Sequence, residues 1–316
     1  MKILITGGAG FIGSNLTKQL LNRGDEVVIV DNFNDYYDPE LKRDRVKSIL
    51  DGCDFGLWEA DIRDYSGLEE TFKKEKPQKI VHLAAMAGVR NSLLNPLLYE
   101  EVNVKGTTNL LDLSVKYGIE NFVYASSSSV YGNNKKIPFS EEDSVDTPIS
   151  PYASTKKATE LMAHVYSHIH NLNTTGLRYF TVYGPWGRPD MALFKFTKNI
   201  LEDKPIEVYN YGKMSRNFTY VDDIVTGTIT VLDANLKYEI MNIGGDREET
   251  LLRFIEVIEN NIGRKAKKKM MPIQPGDVPS TVADISKLRK LGWRPTTRIE
   301  EGVKNFVEWY RNYYQI

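Results

Sequence analysis

The chain is predicted to fold as an α/β protein, in which a doubly wound parallel sheet carries a second, smaller lobe of mixed helices and strands. Short β-branched runs alternate with longer amphipathic segments through the first 180 residues. This alternation is typical of a parallel sheet covered by helices on both faces. A glycine-rich turn, Gly7–Gly13, follows the first run at the strand end where such sheets bind ligands.

The elements of the sheet can be assigned in order along the chain. We predict strands at Lys2–Thr6, Glu26–Val30, Phe55–Glu59, Lys79–His82, Asn121–Ser126 and Thr174–Tyr179. We predict amphipathic helices between them at Gly10–Arg23, Pro39–Leu50, Ser66–Lys74, Asn95–Lys116 and Tyr152–His170. Each helix joins two strands, so the repeated unit is βαβ.

The regular alternation of strands and helices ends after Tyr183, where a turn rich in glycine and proline, Gly184–Pro189, begins. Phe218–Gly244 is predicted to contain a helix and a strand that returns to the large sheet. We therefore expect residues 1–182 and 217–243 to form the sheet domain. Residues 183–216 and 244–316 are expected to form the smaller lobe.

Composition excludes several classes of protein. The 41 basic and 42 acidic side chains give a net charge of −1, whereas a sequence-independent nucleic-acid binder needs a basic surplus. The single cysteine, Cys53, rules out an intramolecular disulfide framework and indicates a reducing compartment, so we expect a cytoplasmic location. No apolar run reaches the ~18 residues of a membrane helix. We expect no nucleic-acid or membrane partner.

The first strand ends in a Gly-x-x-Gly-x-x-Gly turn that opens a helix. Its residues are Gly7, Gly10, Phe11, Ile12 and Gly13. The glycines allow the backbone to approach a phosphate closely, and the N-terminus of the helix favours negative charge there. A structural turn is the alternative interpretation, but the strand before and the helix after favour a Rossmann-type dinucleotide site.

Acidic residues follow the second and third strands. The carboxylate of Asp31 can accept hydrogen bonds from an adenosine ribose and would repel a 2′-phosphate, so NAD is predicted rather than NADP. Asp61 and Ile62 are predicted to reach the adenine. For Asp61, a helix-capping role is the alternative.

A Tyr-x-x-x-Lys pair, Tyr152 and Lys156, begins the predicted helix after the fifth strand. Residues four apart share one helix face. We expect the Lys156 ammonium, together with an oxidised nicotinamide, to lower the pKa of the Tyr152 phenol and make it a base. An ordinary surface pair is the alternative. The serine run Ser126–Ser129 ends the fifth strand and supplies hydroxyls next to this tyrosine, unless it is simply a polar turn.

With these motifs and several others, the chain resembles the extended short-chain dehydrogenase/reductase family, and within it the sugar-nucleotide epimerases. The resemblance rests on the glycine loop, Leu83–Ala85, the serine run, the Tyr-x-x-x-Lys pair, Arg216–Asp223 and Pro275–Asp277. It is closer to UDP-glucuronate 4-epimerases, through Asp31–Asp38, Ala87–Arg90 and Tyr179–Pro189.

The resemblance implies a role for individual residues. It implies a catalytic triad of Ser127, Tyr152 and Lys156. It implies further NAD contacts at Asn32, Leu83, Ala84, Ala85 and Tyr179. It implies substrate contacts at Arg90, Ser128, Ser129, Arg216 and Asp277. Arg216 would hold the diphosphate and Asp277 the uridine end; relatives commonly carry arginine where this chain has Gln274, so Arg216 would carry more of the phosphate charge.

The implied reaction inverts C4 of UDP-glucuronate to give UDP-galacturonate through a transient 4-keto sugar. That intermediate is a β-keto acid that can lose CO2, so its carboxylate must be gripped. We expect a clamp formed by the hydroxyls of Ser127, Ser128, Ser129 and Thr181 and by the Arg188 cation. A surface-loop arginine is the alternative interpretation of Arg188.

Other functions stay open on the sequence. A 4-epimerase of UDP-glucose or UDP-N-acetylglucosamine is the nearest alternative, and a non-catalytic NAD-binding scaffold is another. Dehydratase and decarboxylase relatives typically carry acidic residues at the end of strand five, where this chain has only serines. We expect no metal site, because the four histidines and Cys53 form no ligand set. The resemblance also implies a homodimer packed through the helices predicted at Asn95–Lys116 and Tyr152–His170.

Overall fold

A seven-stranded parallel sheet is the centre of the structure, a computed structural model that describes all residues from Met1 to Ile316. The strands of the chain are β1 Lys2–Thr6, β2 Glu26–Asp31, β3 Gly56–Glu59, β4 Lys79–His82, β5 Asn121–Ser127, β6 Thr174–Tyr179, β7 Val182–Tyr183, β8 Ile206–Val208, β9 Ser215–Arg216, β10 Thr219–Tyr220, β11 Tyr238–Ile243, β12 Glu249–Thr250, β13 Lys268–Met270 and β14 Ser280–Thr281. The large sheet has the order β3–β2–β1–β4–β5–β6–β11, and every neighbouring pair is parallel. The order reverses at β1 and β4, which opens a crevice at the carboxyl ends of these strands.

Helices cover both faces of this sheet. The helices of the whole chain are α1 Phe11–Asn22, α2 Pro39–Ile49, α3 Tyr65–Glu75, α4 Val89–Leu94, α5 Pro96–Tyr99, α6 Gly106–Lys116, α7 Pro151–His170, α8 Ala192–Leu201, α9 Val221–Ala234, α10 Leu251–Ile262, α11 Ser286–Lys290 and α12 Ile299–Tyr314. None of them combines the length and the apolar character that crossing a bilayer requires. The predicted doubly wound α/β fold is confirmed.

The predicted helix Asn95–Lys116 is confirmed as one helical segment from Pro96 to Lys116, although the sequence does not predict the π-helical stretch inside it. The structure has the short helix α5, then a π-helical turn at Glu100–Lys105, and then α6. The wider turn contains Asn103, whose side chain is buried and satisfies the main chain of Met86, accepting from its N–H at 2.8 Å and donating to its carbonyl at 3.0 Å. The π-helical stretch thus contains a residue bonded to a segment 17 positions away, and no local sequence pattern encodes that contact.

The segment Phe218–Gly244 returns to the large sheet as expected, because its strand β11 pairs with β6 along its whole length. The remaining residues form small sheets: β8 with β13, β7 with β10, and β9 between β12 and β14. One hydrophobic core cluster includes Ile5 of β1 together with Phe194 and Phe306 of the C-terminal part. The boundary between two domains stays a prediction, since the two parts share this core.

Candidate active site

One cavity of about 1120 Å³ lies at the carboxyl ends of the central strands. Every residue given a catalytic or binding role from the sequence lines it. These are Gly7, Gly10, Phe11, Ile12, Gly13, Asp31, Asn32, Asp61, Ile62, Leu83, Ala84, Ala85, Arg90, Ser127, Ser128, Ser129, Tyr152, Lys156, Tyr179, Thr181, Arg188, Arg216 and Asp277. The structure therefore brings the predicted residues together, while the role of each one stays a prediction.

The glycine loop leaves no room for side chains. Gly7 has φ +71°, and a Cβ there would lie 2.7 Å from the amide nitrogen of Ala84. A Cβ on Gly13 would lie 2.2 Å from the Gly7 carbonyl oxygen. Helix α1 begins directly after this loop and has no acidic residue in its first turn. Its positive end is thus available to a phosphate, and the loop fits a dinucleotide.

Asp31 ends β2 with its carboxylate held from three sides. It accepts hydrogen bonds from the backbone N–H groups of Ala9 at 3.2 Å and Phe33 at 2.9 Å. The buried ammonium of Lys42 lies 3.2 Å from the same carboxylate. Asp31 is thereby fixed in one position, a geometry suited to accepting hydrogen bonds from a ribose.

Asp61 does not cap a helix. Helix α3 is capped instead by Asp64, which accepts from the N–H of Ser66. Asp61 is paired with Arg63 at 2.8 Å and accepts from Asn32 at 3.0 Å. The Arg63 hydrogen bond lowers the pKa of Asp61 to about 2. The adenine-side interpretation of Asp61 therefore agrees better with its place in the cavity than the capping alternative does.

The tyrosine–lysine pair lies in the first two turns of α7. This helix is capped by Ser150, whose hydroxyl accepts from the N–H of Ala153 at 3.1 Å. The ammonium of Lys156 is buried and donates to the carbonyl of Ala125 in β5 at 2.7 Å. Burial lowers the pKa of Lys156 to about 8. The cap and the β5 carbonyl thus hold the helix and its lysine against the end of β5.

The expected lowering of the Tyr152 pKa by Lys156 together with an oxidised nicotinamide stays a prediction. Burial raises the pKa of the Tyr152 phenol above its usual value, while a hydrogen bond with Ser127 and the charge of Arg188 lower it. The groups that oppose the effect of burial on this pKa are therefore the Ser127 hydroxyl and the Arg188 guanidinium, and not the Lys156 ammonium. The Lys156 ammonium turns toward the β5 carbonyl, which the spacing of the pair along the helix does not predict.

The serines of the run have different surroundings: Ser126 bonds to buried residues, and Ser127 acts on Tyr152. Ser126 is buried and donates to Glu160 at 2.6 Å, and Glu160 is held by two hydrogen bonds of 2.8 Å from Arg178. The Ser127 hydroxyl accepts from the N–H of Ser129 at 3.1 Å, and it is the hydroxyl of the run that lowers the pKa of Tyr152. Ser127, rather than its neighbours, thus occupies the position expected of a catalytic hydroxyl.

Arg188 lies in the cavity wall, and its side chain is only 23% exposed. Its Nε and Nη2 atoms donate to Asp190 at 3.0 and 2.5 Å. Burial opposes the charged form, but the charge and hydrogen bonds of Asp190 outweigh it and raise the pKa of Arg188. A permanent cation therefore faces the same cavity as Tyr152. The surface-loop alternative does not describe this arginine.

The far end of the cavity carries the other predicted cations. Arg216 is paired with Asp277 at 2.8 Å, so two residues predicted from separate motifs meet. The guanidinium of Arg90 lies over the ring of Tyr209, 5.0 Å from its centre. Gln274 does not line the cavity, and its amide oxygen is buried without a hydrogen-bond partner.

Several residues of the cavity were missed by sequence reasoning. They are Tyr36, Lys42, Asp190, Tyr209 and Lys269. Tyr36 lies inside the motif Asp31–Asp38 that carried the resemblance, and Asp190 directly follows the motif Tyr179–Pro189, so both had an available signal. The others had none, because their roles depend on partners far away in the sequence, such as Asp31 for Lys42.

A dinucleotide cradle beside a Ser–Tyr–Lys cluster defines an NAD-dependent enzyme of the α/β class. The model of the NAD dependent epimerase/dehydratase family matches residues 3–244. The chain belongs to this family.

Individual relatives are similar over the whole chain. Protein CapI of Staphylococcus aureus is 49% identical, with 100% of each chain covered. A UDP-glucuronate 4-epimerase of Thermodesulfobacterium geofontis is 46% identical over 97% of this chain and 95% of its own. Among solved structures, the UDP-glucuronic acid 4-epimerase of Bacillus cereus, in complex with UDP-glucuronic acid and NAD, has a TM-score of 0.93 at 36% identity, covering 99% of this chain and 100% of that one.

Proposed function

We propose that the protein is a UDP-glucuronate 4-epimerase, which interconverts UDP-glucuronate and UDP-galacturonate. The observation that carries this proposal is the position of the Arg188 cation, inside the same cavity as Ser127, Tyr152 and Lys156. A permanent cation next to the reacting sugar suits a substrate with a carboxylate on C5. The 4-epimerases of that substrate are also among the relatives of this chain.

In the proposed reaction, Tyr152 removes the proton of the C4 hydroxyl and later returns it. The loop of Gly7 and Gly13, together with Asp31, would hold NAD, which when bound accepts the C4 hydride and gives it back. Ser127 hydrogen-bonds the reacting oxygen, the Arg188 charge favours the phenolate, and Lys156 would add a second positive charge from the same helix face as Tyr152. The protein's own contribution is thus mainly orientation and electrostatics.

The carboxylate of the substrate needs a separate grip. We assign it to Arg188 and to the hydroxyls of Ser128, Ser129 and Thr181, all in the cavity wall. Held in this way, the bond between C5 and the carboxylate stays out of alignment with the 4-keto group, which slows the loss of CO2. Arg216 and Arg90 are assigned to the diphosphate and uridine end, with Asp277 closing over it.

A neutral UDP-hexose 4-epimerase is the second candidate. It would be favoured if Arg188 pointed into solvent, but most of that side chain is covered and its charge acts on Tyr152. A neutral sugar would leave this cation without an anionic ligand other than Asp190. We therefore rank the uronate first.

Incubating the purified protein with UDP-glucuronate and separating the products tests the proposal. We expect UDP-galacturonate to form without net NADH production. Turnover of UDP-glucose alone would favour the hexose epimerase. Tightly bound NAD with no turnover of any UDP-sugar would favour a non-catalytic scaffold.

Replacing Arg188 tests the clamp. Arg188→Ala is expected to lower the specificity for UDP-glucuronate relative to UDP-glucose by about tenfold or more, because a charge-assisted contact to the carboxylate is lost. Arg289→Ala, at a half-exposed ion pair with Asp246, is the control. The clamp assignment fails if Arg188→Ala changes neither UDP-glucuronate turnover nor this ratio.

We also propose a cytoplasmic homodimer. Leu161, Val165 and Ile169 follow one another at four-residue spacing on α7 and are 55%, 43% and 63% exposed. An exposed apolar stripe of this kind is typical of a protein interface. The sedimentation behaviour of the wild type and of Val165→Glu tests this: the wild type should be a dimer and the variant a monomer. A monomeric wild type would contradict it.

A further inference from the structure

Asp190 is paired with the cation that the proposed function assigns to the substrate carboxylate, which poses a chemical question. A carboxylate so close to Arg188 lowers the net positive charge that a uronate would meet. A site selected only for affinity would have no reason to keep it. The geometry of the pair therefore has to explain why the aspartate is there.

The pairing uses one edge of the guanidinium and leaves the other edge free. Asp190 takes the Nε and Nη2 hydrogens of Arg188, and Nη1 has no hydrogen-bond partner within the protein. A guanidinium is planar and presents its donors in a rigid fork. Once one edge is fixed by a carboxylate, the direction of the remaining donors is fixed as well.

The aspartate is itself anchored from the segment after β2. The phenol of Tyr36 donates to Asp190 at 3.3 Å, and its ring lies 5.7 Å from the Arg188 guanidinium. This close approach requires glycine at position 88, because a Cβ there would lie 2.8 Å from the Tyr36 oxygen. Tyr36 and Asp190 are 154 residues apart, so the contact is a feature of the folded cavity.

The backbone just before Arg188 is fixed by the same segment. Arg45 of α2 is fully buried and donates to the carbonyl of Trp186 at 3.0 Å and to that of Gly187 at 3.5 Å. Both the backbone and the side chain of Arg188 are thus held by the part of the chain that also forms the cofactor side of the cavity. The orientation of the Arg188 guanidinium therefore depends on residues that lie on the cofactor side of the cavity.

We propose that Asp190, anchored by Tyr36, is a positioning residue that aims Arg188 and so decides whether the 4-keto uronate is epimerised or decarboxylated. This inference rests on the proposed function. In decarboxylation the bond between C5 and the carboxylate carbon breaks and CO2 leaves. The electron pair of the broken bond remains on the sugar, shared between C5 and the C4 carbonyl as an enolate. Water then protonates C5. The product is a 4-keto-pentose, and one bound NAD is left reduced for each CO2 released.

The test measures how product is partitioned, and not only rate. Asp190→Ala frees the guanidinium, and we expect the ratio of CO2 released to UDP-galacturonate formed to rise about tenfold or more. The KM for UDP-glucuronate should change less than about threefold, since the Arg188 charge stays in the cavity. Reduced NAD should accumulate in step with CO2, as seen in its near-ultraviolet absorbance.

Graded variants keep the test valid if Asp190→Ala folds poorly. Asp190→Asn keeps one acceptor for the guanidinium and is expected to give an intermediate ratio. Tyr36→Phe removes only the anchor and is expected to give a smaller rise in the same direction. Asp233→Asn, at the remote ion pair with Arg23, is the matched control and should partition as the wild type does.

The outcomes separate the possible roles. A fall in kcat for UDP-glucuronate with an unchanged product ratio would mean that Asp190 is only structural, and would overturn the inference. A lower KM with an unchanged ratio would mean that Asp190 only screens the Arg188 charge, and would overturn it too. If the wild type itself converts no UDP-glucuronate, the proposed function fails first, and the assignment of Asp190 fails with it.

Discussion

The two ends of the cavity are built in different ways. The cofactor end is formed largely by backbone. Its shape depends on glycines such as Gly7 and Gly13, where a Cβ would clash with neighbouring backbone atoms. The sugar end is made of charged side chains brought from distant segments, such as Arg188 with Asp190 and Arg216 with Asp277. The cofactor end should therefore respond to changes in volume, and the sugar end to changes in charge and direction.

Tyr152 lines the same cavity and is the residue proposed to transfer the proton, so its loss is expected to have the largest effect. Tyr152→Phe removes the only phenol assigned to proton transfer, so kcat for UDP-glucuronate should fall about a thousandfold. Tyr166→Phe makes the same change on the same helix outside the cavity and should leave kcat unchanged. Equal effects of the two substitutions would show that Tyr152 is not the acid–base residue.

A change of volume should break the cofactor end. Gly13→Ala places a Cβ 2.2 Å from the Gly7 carbonyl oxygen, so the loop or α1 has to move. We expect a loss of about 3 kcal/mol in the free energy of unfolding, and NAD binding weakened at least about tenfold. Gly56→Ala, whose Cβ would meet only side-chain atoms of Val28, the nearest at 3.2 Å, is the control in calorimetry. Wild-type NAD affinity in Gly13→Ala would contradict the packing argument.

Burial of Lys156 makes the free energy of unfolding depend on pH. The pKa of Lys156 is about 8 in the folded protein against an ordinary value of 10.5, so between these values the unfolded chain binds more protons and stability rises with pH. Lys156→Met removes this cost and one hydrogen bond to Ala125. At pH 7 it should raise the free energy of unfolding by roughly 2 kcal/mol.

Denaturant unfolding at several pH values checks this prediction. The advantage of Lys156→Met over the wild type should shrink as the pH rises from 8 toward 10.5. Lys157→Met, a partly exposed neighbour on α7, controls for the loss of a lysine. An advantage that does not vary with pH would mean that burial of the Lys156 charge is not its source.

The smallest expected effect concerns the far part of the sugar end. Arg216→Ala should raise the KM about tenfold for UDP-glucuronate and for any other accepted UDP-sugar alike, because the diphosphate is common to all of them. Arg253→Ala, at an exposed pair with Glu256, is the control. An effect confined to the uronate would assign Arg216 to the sugar instead of the diphosphate.

What the sequence could predict follows the same division. The alternation of strands and helices, the glycine loop and the Tyr-x-x-x-Lys spacing are local patterns, and they led to the fold and to residues that share one cavity. The bonding of Asn103 to Met86 and the pairing of Asp190 with Tyr36 are contacts between distant segments. Such contacts leave no periodic signal, so they appear only in the folded structure.

The most direct test of the account follows the hydrogen on C4. Purified protein with its bound NAD is given UDP-glucuronate carrying deuterium at C4, and the UDP-galacturonate formed is examined by NMR. We predict that deuterium is retained at C4, because the same hydride is removed and returned within one closed site. Loss of deuterium to solvent, or product that carries hydrogen at C4 from the start, would contradict this mechanism.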